Sequence, residues 1–184
     1  TEICIISSPI HLPSYQSLLG DGERFGCKFT FLAQEKPGGL AEALIISDQF
    51  LDGNPSALML GDNVLFGTGL SDFLTTAERE TRGAMIFSYE VSDPEKYGIA
   101  TFDANGAVSS LEEKPENPKS NHAIVGLYFY DASAPQKAKM LTRSERGELE
   151  ITDLNRSYLS SGTLDCLGLP RGVSWFDMGT PASM

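Results

Sequence analysis

An α/β fold with a mixed, mostly parallel sheet flanked by helices is what the sequence predicts, on three observations. Strand-like and helix-like segments alternate through the first half of the chain, the pattern of parallel βαβ units covered on both faces. Leu70, Phe73, Leu74 and Ala77 fall at i, i+3, i+4 and i+7, the apolar stripe of a surface helix between two strands. In the second half, Asn105-Gly106 between apolar runs is a strong hairpin signal.

Each element follows in order. Ile3–Ser7 is a short apolar strand, and Pro13–Leu19 a helix ending in the turn-rich Gly20-Asp21-Gly22. Cys27–Ala33 is a second strand, and Pro37-Gly38-Gly39 breaks the chain before a helix near Leu40–Leu51. Ala57–Leu60 and Met85–Val91 are buried strands on either side of the striped helix. Ile99–Phe102 and Ala107–Leu111 form the hairpin, and Ala123–Tyr130 a long apolar strand. A helix over Pro135–Leu141 takes its proline in the first turn. Ile151, Leu154, Tyr158 and Leu159 stripe another helix, and Leu164–Leu167 and Val173–Phe176 close the chain as strands.

The bulk properties narrow the function. The chain of 184 residues has the size of one domain. Its formal net charge of -11 argues against a nucleic-acid partner, which clustered Lys and Arg would hold. No apolar run approaches the roughly 20 residues of a membrane span, and no secretory pattern opens the chain. Cys4, Cys27 and Cys166 are far apart and make no C-x-x-C pair, so they read as structural thiols of a reducing cytoplasm. With only His11 and His122, a zinc site or histidine triad is poorly supported. The chain starts at Thr1 and stops at Met184 without terminal composition, so one domain over 1–184, truncated at both ends, is expected.

In open α/β sheets, ligands gather at the carboxyl ends of strands. Asp62, in Leu60-Gly61-Asp62-Asn63, follows one apolar strand, and Asp177, in Trp175-Phe176-Asp177-Met178-Gly179-Thr180, ends another. Either acid could be a turn or capping residue. The two together could also hold one Mg²⁺, which takes one or two carboxylates plus substrate phosphates. Gln34-Glu35-Lys36-Pro37-Gly38-Gly39 passes from a strand into a helix; it is either a plain turn or a place where Gln34 meets a base edge. It carries neither a P-loop nor a dinucleotide fingerprint. Glu112-Glu113-Lys114-Pro115 closes the hairpin, and Arg143–Glu150 precedes a helix; both also suit solvated charge runs.

Jointly these segments resemble the sugar nucleotidyltransferases, of the glucose-1-phosphate thymidylyltransferase type. The matching stretches are Gln34–Ala43, Leu60–Asn63, Tyr97-Gly98, Ser110–Pro115, Gly126–Tyr130, Arg146–Asn155 and Asp177–Thr180, in family order. The resemblance implies an incomplete Rossmann-like sheet of the nucleotide-diphospho-sugar transferase type, in a homo-oligomer. It implies that a glucose-1-phosphate oxygen attacks the α-phosphorus of dTTP, releasing pyrophosphate and leaving dTDP-glucose. The attacking oxygen is already anionic, so alignment and charge neutralisation suffice.

By the same resemblance Asp62 and Asp177 hold Mg²⁺, and Gln34 and Gly39 contact the base. Tyr97, Gly98 and Glu113 line the sugar pocket, Lys114 and Arg146 bind the sugar phosphate, and Ile124 and Val125 shape the pocket by packing. The family's N-terminal Gly-Gly-x-Gly-Thr-Arg loop and C-terminal helices are absent here, and Met178 replaces a usual Thr. The span alone is therefore expected to be poorly active. The alternatives are a non-catalytic remnant that binds nucleotide or sugar phosphate, and a nucleotidyltransferase for another nucleotide or sugar.

Overall fold

The computed structural model describes residues 1–179. In chain order its elements are β1 (Glu2–Ser7), α1 (Leu12–Leu19), β2 (Lys28–Ala33), α2 (Ala41–Ile46), α3 (Asp48–Leu51), β3 (Ser56–Met59), β4 (Asn63–Gly67), α4 (Leu70–Glu80), β5 (Ala84–Glu90), β6 (Gly98–Phe102), β7 (Val108–Glu113), β8 (His122–Tyr130), α5 (Ala134–Lys139), α6 (Ile151–Ser160), β9 (Leu164–Gly168) and β10 (Val173–Asp177). Packing divides the chain into two compact units: residues 1–53 with 134–154, and residues 54–133 with 155 onward.

In the first unit β1 and β2 pair in parallel from Glu2↔Lys28 to Ser7↔Ala33. Parallel pairing needs a crossover, which α1 and its following turn supply. The single helix expected near Leu40–Leu51 is broken into α2 and α3 at Ser47. There the Ser47 hydroxyl donates to the Ala43 carbonyl at 2.8 Å, a local bond that competes with helix continuation.

The second unit holds a six-stranded sheet in the order β7-β6-β8-β5-β9, with β3 also on β8. The α/β class and the mixed sheet stand, but the balance of pairings differs from the mostly parallel expectation. Only β1 with β2 and β5 with β9 run parallel among the described strands. The cause is β8, which runs against β3, β5 and β6, together with two further antiparallel pairs, β6 with β7 and β4 with β10. β8 is buried along nearly its whole length, which is why its sequence reads as one apolar run rather than an alternating one.

Ala77 of α4 packs with Met85, Phe87, Ile99, Ala123, Val125, Leu127 and Trp175 to form the core of this unit. Phe87 meets Phe73 and Phe129 edge-on, at centroid distances of 5.8 and 5.2 Å. At the far end of β8, Tyr130 donates to the buried Asn155 amide at 2.7 Å, and Tyr158 donates to Asp131 at 2.8 Å. These bonds tie α6 to the sheet and let two buried phenols keep a polar partner.

Candidate functional site

Two strand ends bring the acids together in the second unit. β3 stops at Met59, and Leu60-Gly61-Asp62 turns the chain into β4. The turn is anchored where the Leu60 N–H donates to the Gly126 carbonyl at 2.9 Å. β10 lies antiparallel on β4 with Asp177 opposite Asn63, so the last residue of β10 arrives beside Asp62. The Met178 N–H closes the corner on the Asp62 carbonyl at 2.9 Å. A methyl placed on Gly179 would sit 2.8 Å from Asp62 Oδ2 and 3.1 Å from Asp177 Oδ1. Asp62 Oδ2 and Asp177 Oδ1 therefore meet on the same side of Gly179, where any side chain would press into them. Thr180, the end of the matching motif, lies outside the described residues.

Asn63 supports this corner, and sequence reasoning gave it no role. Its side chain is buried, and its Oδ1 accepts from the Trp175 indole at 2.7 Å and the Gly126 N–H at 3.0 Å. Its Nδ2 then donates to Asp62 Oδ1 at 2.8 Å. The orientation of the amide is forced, because two donors fix the oxygen end. Gly126 is glycine for the same reason: a Cβ there would meet Asn63 Oδ1 at 2.5 Å. A signal was present in the sequence, since a lone tryptophan in a core strand needs a partner for its N–H.

The residues expected at the sugar also converge. Gly98 stands opposite Glu113 in the β6–β7 register, and the Lys114 N–H donates to the Tyr97 carbonyl at 3.0 Å. Lys114 has φ 42, an uncommon left-handed conformation for a side chain other than glycine and one that directly precedes Pro115. Tyr97 packs edge-on against Trp175 at 5.3 Å. Burial raises its phenol above the ordinary range, as do the negative charges of Asp93 and Asp177. Trp175 thus touches both the Tyr97 side and the Asn63–Asp62 side of one unit. Val125 and Ile124 are both buried in β8, consistent with packing roles.

Gln34, Gly39 and Arg146 belong to the first unit and are described within it. Gly39 has φ 92, and a Cβ there would press into the backbone of Leu149, 2.6 Å from its nitrogen. Only glycine fits where residues 147–149 lie against this loop. Gln34 Nε2 donates to the Gly39 carbonyl at 3.2 Å and to Glu42 Oε2 at 2.7 Å. Arg143 donates to the other oxygen, Glu42 Oε1, at 2.7 Å and to the Gly38 and Gly147 carbonyls. The hydrogen bonds from Arg143 and Gln34 hold the Glu42 carboxyl below its ordinary range. Arg146 donates to both Glu150 oxygens at 3.0 Å, so a phosphate would compete there with an exposed ion pair of small worth.

No group of three or more His, Cys, Asp or Glu among the described residues could enclose a metal ion. The Asp62–Asp177 pair brings two oxygen donors together beside Gly179, which suits a hard cation that completes its shell with phosphate and water. The three thiols are unpaired. Burial pushes Cys166 up to about 11 and raises Cys4 as well, the wrong direction for nucleophiles. No helix among the described residues is long and apolar enough to cross a membrane.

The chain belongs to the nucleotidyl transferase family, which it matches over residues 1–184. It is similar to the glucose-1-phosphate thymidylyltransferase of Xanthomonas campestris pv. campestris, 49% identical over 183 residues that make 100% of this chain and 62% of that protein. It is 45% identical to the Neisseria gonorrhoeae protein of the same name, over 100% of this chain and 64% of the other. Among solved structures, a Bacillus anthracis protein assigned as a glucose-1-phosphate thymidylyltransferase, in complex with a sucrose, superimposes with a TM-score of 0.89 at 36% identity. That match covers 98% of this chain and 72% of the other. A UDP-glucose pyrophosphorylase complexed with UDP-glucose shares the fold at a TM-score of 0.84 and 18% identity, over 99% of this chain and 77% of its own. The chain spans roughly three fifths of the length of the curated relatives it matches.

Proposed function

We propose that the complete protein transfers a deoxythymidylyl group from dTTP to glucose-1-phosphate, giving dTDP-glucose and pyrophosphate. The observation that carries this reading is the meeting of Asp62 and Asp177 beside Gly179. A bound Mg²⁺ would neutralise phosphate charge and orient the triphosphate. Asp62 and Asp177 would hold it, with Asn63 keeping the Asp62 carboxylate in one orientation through its amide.

The bond made is between a sugar-phosphate oxygen and the α-phosphorus of the triphosphate. The bond broken joins that phosphorus to the bridging oxygen of the leaving pyrophosphate. Since the attacking oxygen is anionic, the residues position and neutralise rather than remove a proton. Lys114 and Arg146 would bind the sugar phosphate, Tyr97, Gly98 and Glu113 the sugar, and Gln34 and Gly39 the base. The scarcity of histidine and the raised thiols agree with this chemistry.

We further assign the protein to the cytoplasm, supported by its unpaired cysteines. The homo-oligomer reading has support in the exposed apolar Val64, Phe66 and Phe176 of the β4–β10 ribbon. The test is pyrophosphate release by the complete protein supplied with Mg²⁺, dTTP and glucose-1-phosphate, with UTP and other sugar phosphates as separate arms. Release that needs both substrates and falls away with EDTA is expected. Its absence under all nucleotide and sugar pairs would refute the reading.

A further inference from the structure

The amide of Gln34 is held in one orientation by acceptors alone. Its Nε2 faces the Gly39 carbonyl at 3.2 Å and Glu42 Oε2 at 2.7 Å, and neither of those atoms can donate while Glu42 is ionised. Turning the amide over would set its oxygen against two other oxygens. Both Nε2 hydrogens are thereby used, and Oε1 accepts nothing from any described residue. The carboxylate that enforces this is itself fixed, because Arg143 binds its second oxygen at 2.7 Å while anchoring on the Gly38 and Gly147 carbonyls.

We propose that Glu42, held by Arg143, is a specificity-positioning residue that locks Gln34 with Oε1 outward, as an acceptor for a base carrying a ring N–H. The inference rests on Gln34 being the base contact. Thymine and uracil present N3–H to such an acceptor. Cytosine in the same pose presents the lone pair of N3, and two acceptors then face each other. Rejection comes from that unpaired, repelling edge more than from shape.

The near-isosteric Glu42→Gln exchange separates orientation from packing. Arg143 would claim the oxygen of the new amide, which leaves its NH2 end facing the NH2 end of Gln34. Two donors cannot pair, so Gln34 is driven to turn over against the lone opposition of Gly39. Glu42→Leu removes the ionic acceptor outright and weakens the lock in the same direction.

The experiment compares kcat/KM for dTTP and dCTP, each with glucose-1-phosphate, in the complete protein and in the Glu42→Gln, Glu42→Leu and Gln34→Leu variants. Thermal melting is followed in parallel. The dTTP-to-dCTP ratio is expected to fall about tenfold or more in Glu42→Gln, the size of one hydrogen bond gained or lost, and to fall also in Glu42→Leu. A ratio within about threefold of wild type in both Glu42 variants overturns the proposal. Gln34→Leu tests the reading beneath it: an unchanged kcat/KM for dTTP there removes Gln34 as the base contact. If Gln34→Leu is impaired while the Glu42 variants keep the ratio, only the orientation inference fails.

Discussion

The indole of Trp175 donates to Asn63 Oδ1 at 2.7 Å, and that bond decides which end of the Asn63 amide faces Asp62. With the oxygen occupied by Trp175 and by the Gly126 N–H, the Nδ2 end is left to donate to the Asp62 carboxylate at 2.8 Å. A core strand, a glycine in the longest strand and a proposed metal ligand are thus joined through one buried amide.

Asn63→Asp removes the donor to Asp62 and keeps the acceptor for Trp175 and Gly126. The substituted carboxylate still accepts from Trp175 and Gly126, but it is buried with its second oxygen against Asp62, so a stability loss of about 3 kcal/mol is expected by urea unfolding at neutral pH. It no longer donates to Asp62 and adds a like charge beside it. Steady-state turnover at saturating Mg²⁺ should fall at least about tenfold, whereas Asn63→Leu should cost roughly 2–3 kcal/mol by stranding two buried donors.

Gly126→Ala brings a Cβ to 2.5 Å from Asn63 Oδ1 and 2.7 Å from Leu60 Cδ1. Because β8 is buried and hydrogen-bonded on both sides, it cannot move aside freely. The expected loss is about 1–3 kcal/mol on unfolding. Trp175, the one tryptophan of the sequence, should report the displaced Asn63 by an altered emission spectrum in the folded state.

The α/β class, most strands and the hairpin were legible because each rests on local pattern: apolar runs, the helical stripe at Leu70–Ala77 and the Asn105-Gly106 turn. The turn formed with Gly106 at φ 82 and with Asp103 accepting from the Asn105 and Ala107 N–H groups. Strand direction was not legible, since β8 looks the same in sequence whether it runs with or against its neighbours. β4 was missed because its Val64 and Phe66 are exposed while Leu65 packs inward, a pattern too short to stand out. Asp62 and Asp177 were picked as strand-end acids, and the β4–β10 register brings them together. Asn63 and Glu42 went unassigned because their partners are 112 residues away for the Trp175 contact and 101 for the Arg143 contact.

Acidification should loosen the loop that carries Gln34. The Glu42 carboxyl is depressed by its bonds to Arg143 and Gln34. A depressed acid contributes stability that is present above its unfolded value, about 4.3, and is lost as pH falls through the lower folded value. Hydrogen exchange of residues 38–42 should therefore accelerate, relative to the intrinsic rate, below about pH 4. In Arg143→Met that acceleration should set in at higher pH, because the depression is smaller.

Thiol reagents should leave turnover intact. With Cys166 pushed up to about 11, only roughly a thousandth of it is thiolate at pH 8. Iodoacetamide at that pH should label Cys166 far more slowly than a free thiol. Fast labelling with parallel loss of pyrophosphate release would show that a thiol takes part.

The meeting of Asp62 and Asp177 beside Gly179 is what a metal site here depends on, and turnover of Asp62→Asn and Asp177→Asn in the complete protein tests it most directly. Each exchange keeps the shape of the side chain and removes one charge from the proposed Mg²⁺ position. At saturating Mg²⁺, dTTP and glucose-1-phosphate, kcat should fall on the order of a thousandfold in each, the several kcal/mol that a positioned metal supplies. Near-normal kcat in both variants would contradict the carboxylate pair as the metal site.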